Sequence, residues 1–160
     1  MLTADRMAAV DANAAALGVP RKQLMESSGN AVARVVRRHA DPGDRVVLVC
    51  GRGNNGGDAF VAARFLKEYD VEVVLLGHPD RIGTDIAREN WAALQTAEIP
   101  TTTITDSTGI DTLDLEAADC IVDAMLGTGV TGALREPAAT AARAITAADT
   151  PVVAVDVPSG

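Results

Sequence analysis

The stretch RVVLVCGRGNNGGD, residues 45–58, decides the fold of this chain. Its first six residues are a short β-branched run that predicts a buried strand, and a helical pattern follows from about residue 58 to 69. The glycines between them have GxGxxG spacing, directly after a strand and before a helix, where glycine lets the backbone approach a ligand closely. We therefore expect a strand, turn and helix unit whose helix N-terminus offers N–H groups to a phosphate.

Outward from that unit, strand-like and helix-like segments alternate along the chain. Further strands are predicted at Val71–Leu76, Thr101–Ile104, Asp119–Met125 and Pro151–Asp156. Helical patterns occupy about residues 82–96, 110–117 and 137–148, and two more, about 3–17 and 20–39, precede the first strand. Strands separated by helix-length segments predict right-handed βαβ units. The expected fold is α/β, a Rossmann-like three-layer α/β/α sandwich with a mainly parallel sheet and two N-terminal helices.

The composition limits what the chain can be. Its 160 residues are 48% hydrophobic and 22% charged, enough for one core, so we assign residues 1–160 to one domain. The net charge of −8 disfavours nucleic acid and anionic membranes as partners. We find no apolar run of membrane-spanning length and no signal-peptide pattern, and therefore expect a cytoplasmic location. Because the sequence stops directly after a predicted strand, we expect the domain to be truncated at its C-terminus.

The two cysteines, Cys50 and Cys120, fall at apolar strand-like runs and have no CxxC or Cys/His spacing around them. Such a placement favours small buried apolar side chains over a disulfide or a metal pair. We therefore assign them no chemistry.

Three loops are expected to share one edge of the sheet. If the strand order is 3-2-1-4-5, the first, fourth and fifth strands are neighbours, and ligands bind outside the carboxyl ends of such strands. The loops after them, residues 51–58, 126–136 and 157–160, are rich in glycine and small polar residues. Asp123 falls inside an apolar strand, where a carboxylate needs a cation or several donors. Asp156 ends a strand at this edge, where it can reach a substrate as acid or base.

On the residues alone, structural interpretations of these loops stay open. The first loop can be a tight turn in which Asp58 caps the helix, and Asp123 and Asp156 can be carboxylates bonded to backbone turns. Arg135 and Glu136 can be a plain surface ion pair ahead of the last helix.

Two nucleotide-binding classes are disfavoured. An ordinary NAD dehydrogenase carries an acidic residue at the end of the second strand, where this chain has Gly77 and His78, with Asp80 only beyond them. A P-loop is excluded because no Lys-Ser/Thr pair follows the glycines of the first loop.

Four motifs together resemble a known family. They are LMExxG at residues 24–29, GNNGGD at 53–58, DAxxGTG at 123–129 with REP at 135–137, and VDVPSG at 155–160. In this order, over nearly the whole chain, they are similar to the YjeF N-terminal domain, the NAD(P)H-hydrate epimerases. The combination of Asn-Asn-Gly-Gly-Asp with Asp-x-Pro-Ser-Gly is the specific part of the match. Some members carry a basic residue where this chain has Thr131, a role for which Arg52 or Arg135 could substitute.

The resemblance implies an isomerase of metabolite repair. Such enzymes interconvert the R and S forms of NADHX and NADPHX, nicotinamide cofactors hydrated at C6, and their functional partner is an NAD(P)H-hydrate dehydratase, in some microbes fused behind the domain. The resemblance implies Asp156 as the catalytic carboxylate. It also implies one K⁺ per subunit held by Asn55, Asp123 and Ser159, whose oxygens suit a hard cation. The implied substrate-binding residues are Asn54, Asn55, Gly56, Gly57, Asp58, Gly127, Thr128, Gly129, Val130, Thr131, Gly132, Ala133 and Asp156.

The alternative function is a non-catalytic protein of the same fold, a scaffold or a nucleotide-binding dimerisation module. The presence of the catalytic and cation residues together favours the enzyme, because a scaffold has no need of them. A homodimer through the N-terminal helices is one interpretation of four apolar residues there, and packing of the same residues on the sheet is the other. These residues are Met7, Val10, Leu24 and Met25.

Overall fold

The structure is a computed structural model that describes residues 4–127 and 132–160. The strands are β1 Arg45–Cys50, β2 Asp70–Leu76, β3 Thr101–Ile104, β4 Cys120–Ala124 and β5 Val152–Ala154. They form one sheet in the order β3-β2-β1-β4-β5, and all four neighbouring pairs are parallel. The predicted α/β class and strand order are therefore confirmed.

Helices cover both faces of this sheet. They are α1 Ala4–Ala16, α2 Arg21–Val36, α3 Asn54–Phe65, α4 Asp85–Thr96 and α5 Ala138–Ala147, with two 3₁₀ segments at Pro79–Arg81 and Ser107–Thr112. Side chains of β1 alternate between the two faces, as a pleated strand requires. Val46 and Leu48 pack with α2, α3 and α4, whereas Val47 and Val49 pack with α5 and the second 3₁₀ segment. The three-layer sandwich is confirmed, and none of the helices described is long and apolar enough to cross a membrane.

Two predicted helix boundaries are wrong. Helix α3 begins at Asn54, four residues before the predicted start at Asp58, because the glycines that suggest a turn belong to its first turn. A Cβ on Gly56 would lie 2.0 Å from the carbonyl oxygen of Gly51, so glycine is needed there for close approach. The helix predicted at 110–117 is instead the 3₁₀ segment, which begins where Asp106 accepts a hydrogen bond from the backbone N–H of Thr108 at 2.9 Å.

Both cysteines are free and buried, which confirms the prediction that they act as small apolar side chains. Burial raises the pKa of Cys120 to about 11. Burial, and to a smaller extent the negative charge of Asp123, raises the pKa of Cys50 as well. Neither thiol forms a thiolate near neutral pH.

The N-terminal helices pack unequally. Val10 of α1 is 51% exposed, and Leu17, just after α1, is 83% exposed. Met25 of α2 is buried, and its Cε lies 2.7 Å from the position that a Cβ on Gly57 of α3 would occupy. Met25 therefore packs against α3 and is not free for a dimer contact. The side chain of Met7 lies outside the described residues, Leu24 is half-buried, and the homodimer stays a prediction.

Gly29 lets α2 pack directly on α3, the helix that carries the first glycine loop. A Cβ on Gly29 would lie 2.4 Å from Cβ of Val61 and 2.7 Å from the carbonyl oxygen of Asp58. Both distances are far below ordinary contact, and one of them is to backbone, which cannot rotate away. The LMExxG motif thus positions α3.

We expect Gly29→Ala to lower the free energy of unfolding by about 1 to 3 kcal/mol, the usual cost of overpacking, although alanine favours a helix interior more than glycine does. Urea unfolding monitored by circular dichroism measures the change. The exposed neighbour Ser28 provides the control, since Ser28→Ala should be neutral or slightly stabilising. Equal stability of the two variants would contradict the close packing of α2 on α3.

Candidate functional site

The strand order brings the three glycine-containing loops to adjacent positions at the carboxyl edge of the sheet. The backbone N–H of Gly51, just after β1, donates to the carbonyl of Ala124 at the end of β4 at 3.0 Å. The N–H of Val155, just after β5, donates to the carbonyl of Asp123 at 2.8 Å. The first, second and third loops therefore emerge side by side, in the crevice where open α/β sheets bind ligands.

The first loop leads into a helix that lacks a side-chain cap. A Cβ on Gly51 would lie 1.9 Å from the carbonyl oxygen of Met125, so this glycine lets the first loop lie against the second. Gly53 is the N-cap of α3 and has no side chain with which to accept from the first-turn N–H groups, and no residue of that turn is acidic. Asp58 lies inside the helix, so the interpretation of Asp58 as the cap is wrong. The uncapped, positively polarised end of α3 suits an anion.

Asn55 reaches from α3 to both neighbouring loops. Its Nδ2 donates to the carbonyl of Leu126 at 2.8 Å and to the carbonyl of Val155 at 2.9 Å. One amide group thus uses both of its hydrogens on carbonyls that follow two different strands. Gly127 lies against the same amide, since a Cβ there would be 2.9 Å from Oδ1 of Asn55. Asn55 therefore sets the relative positions of the three loops.

Asp123 and Ser159 form a buried pair, 5% and 8% exposed. Ser159 donates its hydroxyl to Oδ1 of Asp123 and its backbone N–H to Oδ2, both at 2.7 Å, and the N–H of Met125 donates to Oδ1 at 3.2 Å. These donors fit the interpretation of a backbone-bonded turn carboxylate, but they leave its charge uncompensated. Within residues 4–127 and 132–160, no basic side chain forms an ion pair with Asp123. A buried carboxylate without a counterion is a candidate ligand for a cation.

Asp156 occupies a strained turn just after β5. Its φ is +72°, and the N–H of Val157 donates to the carbonyl of Val155 at 2.9 Å, which makes Asp156 the central residue of a γ-turn. A non-glycine residue in this region costs of order 1 kcal/mol, and Asp and Asn tolerate it best. Unlike Asp123, Asp156 is exposed. The turn thus presents a solvent-accessible carboxylate at the carboxyl edge of the sheet.

Only the ends of the second loop belong to the described residues. Gly127 is half-buried beside Asn55, and Gly132, with φ of +94°, and Ala133 are exposed. The predicted substrate-binding residues between them lie outside the described residues: Thr128, Gly129, Val130 and Thr131.

Glu136 anchors the far end of the second loop. It accepts hydrogen bonds from Oγ1 and N–H of Thr140 at 2.7 and 3.1 Å and from Oγ of Ser107 at 2.8 Å, and it pairs with Arg143 at 3.2 Å. The alternative interpretation of Glu136 as the ion-pair partner of Arg135 is therefore not supported, since Glu136 pairs with Arg143. The bonds from Thr140 and Ser107, and then Arg143, lower the pKa of Glu136 to about 2. Because this pKa is lowered, the stability it contributes is full above about pH 4.5 and is lost as the pH falls toward 2.

A polar cluster that sequence analysis missed lies behind α3. Arg64 pairs with Glu26 of α2 and donates to Oδ1 of Asn90 of α4 at 2.9 Å. Asn90 is 4% exposed and donates to the carbonyl of Ile86 at 3.0 Å. The signal was present, since Asn90 stands four residues after Ile86 on the apolar face of α4, where a polar side chain needs partners. The cluster ties α2 and α4 to α3.

These features define an α/β domain with a candidate ligand site at the carboxyl edge of a parallel sheet. The family model described as YjeF-related protein N-terminus matches residues 21–160, and the chain belongs to that family. It is 47% identical over 161 residues to the bifunctional NAD(P)H-hydrate repair enzyme Nnr of Methanothermobacter thermautotrophicus, a match that covers 96% of this chain and 30% of that protein.

Two further comparisons cover the chain almost completely. The NAD(P)H-hydrate epimerase of Cenarchaeum symbiosum is 39% identical, and the match covers 99% of this chain and 74% of that protein. The crystal structure of the yeast protein ynu0 (YNL200c) superposes with a TM-score of 0.84 at 28% identity, covering 100% of this chain and 71% of that one. The chain thus spans about three quarters of the epimerase and less than a third of the bifunctional relative.

We expect Asn55→Asp to lower the free energy of unfolding by about 2 to 4 kcal/mol, because the carboxylate cannot donate and leaves the carbonyls of Leu126 and Val155 unpaired. Urea unfolding measures the loss.

Asn54→Asp is the matched control for that variant. It adds the same charge to the same helix turn, and its side chain can still accept the hydrogen bond that Thr84 Oγ1 donates to Oδ1 of Asn54 at 3.1 Å. We expect this control to be near neutral. If both variants lose stability equally, the Asn55 amide does not hold the loops together.

Proposed function

We propose that this chain is an isomerase, an NAD(P)H-hydrate epimerase that interconverts the R and S forms of NADHX and NADPHX. The observation that carries the proposal is the exposed Asp156 carboxylate on its γ-turn, beside the loops that Asn55 joins. Membership of the YjeF-related family and the similarity to relatives named as NAD(P)H-hydrate epimerases support the same activity.

We propose that the substrate binds along the carboxyl edge of the sheet. The uncapped first turn of α3 offers N–H groups to the diphosphate of the dinucleotide, and residues Asn54–Asp58 line that part of the site. Residues 127–133 of the second loop complete the proposed substrate site, and Asp156 contacts the hydrated nicotinamide ring. The −8 net charge does not favour an anionic substrate, so these local donors must supply the attraction.

Asp156 acts as acid and base at C6 of the hydrated ring. In its protonated form, Asp156 gives a proton to the C6 hydroxyl and becomes a carboxylate, the C6–O bond breaks with its electron pair leaving on water, and the lone pair of the ring nitrogen forms an iminium. Water then attacks the other face of C6, the iminium electron pair returns to nitrogen, and the carboxylate takes up the released proton. The product is the opposite epimer, and no oxidant or reductant is consumed.

We propose one K⁺ per subunit at Asn55, Asp123 and Ser159. The buried Asp123 carboxylate, which has no cationic partner among the described residues, fits a cation, and the hydroxyl of Ser159 and the amide oxygen of Asn55 are further ligands of the type that hard cations prefer. When bound, the ion supplies positive charge beside an anionic substrate. These residues also hold the loops through their own hydrogen bonds.

Several finer points belong to the same proposal. The functional partner is an NAD(P)H-hydrate dehydratase that consumes the S epimer, in keeping with relatives named as bifunctional repair enzymes. The proposed location is cytoplasmic. Of the N-terminal residues considered for a homodimer contact, Val10 is exposed and available for it.

We expect Asp156→Asn to lower the rate of R to S conversion of purified R-NADHX by at least about 100-fold, the usual contribution of a general acid or base. Chromatographic separation of the epimers measures the rate. Asn also tolerates a positive φ, so the melting temperature should stay within about 1 °C.

Asp149 provides a matched control, because it is also an exposed aspartate with a positive φ, of 51°, in a loop away from the carboxyl edge. Asp149→Asn should keep full activity. If Asp156→Asn retains activity, Asp156 is not the catalytic acid and base.

We expect K⁺ to raise the melting temperature by about 3 °C relative to choline at equal ionic strength, if the site is about 90% occupied. Ser159→Ala should lower stability in both salts and abolish the difference between them. A K⁺ effect that survives in Ser159→Ala would place the ion elsewhere.

The same thermal measurement separates the enzyme from a scaffold. With K⁺ present, an epimerase should be stabilised by NADHX or NADPHX, whereas a scaffold that binds no nucleotide should not respond. A nucleotide-binding scaffold would respond to the ligand but leave the R epimer unconverted.

A further inference from the structure

The carboxyl end of β2 carries a cation where dinucleotide enzymes commonly carry an acid. Gly77 follows β2 directly, and its N–H donates to the carbonyl of Ile104 at 2.7 Å. The side chain of Arg52 lies across Gly77, since a Cβ on that glycine would be 2.7 Å from Cδ and 3.2 Å from Nε of Arg52. Any larger residue at position 77 would displace Arg52. The φ of Gly77, +128°, also requires glycine.

The backbone around Arg52 is fixed to the segment that follows β2. The carbonyl of Arg52 accepts from the N–H of Gly83 at 2.8 Å, and the neighbouring Asn54 accepts from Thr84 Oγ1 at 3.1 Å. Arg52 therefore belongs to a bridge between the first glycine loop and the end of β2, although its own side chain is exposed.

The charge of Arg52 is not neutralised within the part of the chain that the structure describes. No carboxylate there lies within ion-pair distance of its guanidinium. Asp85, at the start of α4, pairs with Arg88 of the same helix. Asp80, in the 3₁₀ segment after β2, is the acidic residue nearest to Gly77 in the chain.

The strand order relates Arg52 to the proposed reaction site. Asp156 follows β5, and the next strands along the carboxyl edge are β4, then β1 with the N-terminus of α3, and then β2. The ends of β5 and β2 are therefore three strand spacings apart, about 14 Å. A dinucleotide with its reactive ring at β5 and its diphosphate on α3 extends its adenosine ribose toward β2. In related α/β sites an acid at this end binds the ribose 2′-hydroxyl, whereas an arginine accommodates a 2′-phosphate.

We propose that Arg52 is a specificity-determining residue that binds the 2′-phosphate of the adenosine ribose, so that the chain acts on the hydrate of NADPH in preference to the hydrate of NADH. This inference rests on the proposed function. It assigns Arg52 to substrate selection and not to the chemistry at C6. Guanidinium and phosphate form charge-assisted, commonly bidentate hydrogen bonds.

Equilibrium titrations with NADP⁺ and NAD⁺, followed by calorimetry, test the binding. The unmodified chain should bind NADP⁺ at least about tenfold more tightly than NAD⁺, and the difference should shrink as salt is added. Arg52→Gln should lower the affinity for NADP⁺ far more than that for NAD⁺ and bring the two close to parity. Adenosine 2′,5′-bisphosphate and adenosine 5′-monophosphate should show the same pattern, which isolates the contribution of the 2′-phosphate.

Arg38→Gln is the matched control. Arg38 is exposed just after α2, at the opposite edge of the sheet, and its loss changes the net charge by the same amount. This control should keep the preference for NADP⁺. Equal affinity of the unmodified chain for the two nucleotides, no binding of either, or equal loss of both in Arg52→Gln would overturn the inference. If Arg38→Gln also loses the preference for NADP⁺, the preference comes from overall charge, and the inference is overturned as well.

Turnover separates this inference from the proposed function. The unmodified chain could convert R-NADPHX and R-NADHX with similar kcat/KM, and Arg52→Gln could leave the ratio of the two kcat/KM values unchanged. That result would support the proposed epimerase activity and reject the role of Arg52. If neither hydrate is converted but the NADP⁺ preference still depends on Arg52, the proposed function fails and the 2′-phosphate site stands.

Discussion

The rest of the site depends on one side-chain amide. Asn55 stands in the first turn of α3 and donates to two backbone carbonyls, those of Leu126 and Val155, which follow β4 and β5. Parallel strands fix the positions of their own ends but not the direction of the loops that leave them. The Asn55 amide supplies that direction for two loops at once, and the carbonyl of Val155 that it binds also accepts the hydrogen bond that closes the γ-turn of Asp156.

The glycines of the first loop divide into two physical classes. Gly51 and Gly56 are required by packing, because a Cβ on either would lie about 2 Å from a backbone carbonyl oxygen. Gly53, the middle glycine, has nothing within 4 Å of its Cβ position, and its φ of −98° is open to any residue. Neither packing nor conformation explains it. It marks the open side of the α3 N-terminus, where a ligand can approach the backbone.

The sequence predicted the topology well because the alternation of apolar runs and helical patterns is a long-range signal. It also placed Asp123 in a buried strand and Asp156 at a strand end, since burial and strand position follow from the same apolar runs. The start of α3 was missed because Gly56 and Gly57 indicate a turn locally, whereas both lie in the first turn of a helix, where Gly56 packs closely on Gly51 and Gly57 on Met25. The Glu26–Arg64–Asn90 cluster was missed because its members are distant in the chain and meet only when three helices pack.

The net charge of the chain affects how the site can attract its proposed substrate. A net charge of −8 repels a dinucleotide at long range, but ionic screening confines such repulsion to about 8 Å at physiological salt. Contacts within that distance therefore decide binding, and from β1 to β2 the edge offers hydrogen-bond donors: the N–H groups at the start of α3 and the side chain of Arg52. Glu136, at the far end of the second loop, is already engaged by Thr140, Ser107 and Arg143. An acidic protein can bind an acidic substrate when hydrogen-bond donors converge on the position proposed for the diphosphate, while the exposed acid Asp156 lies further along the edge, after β5.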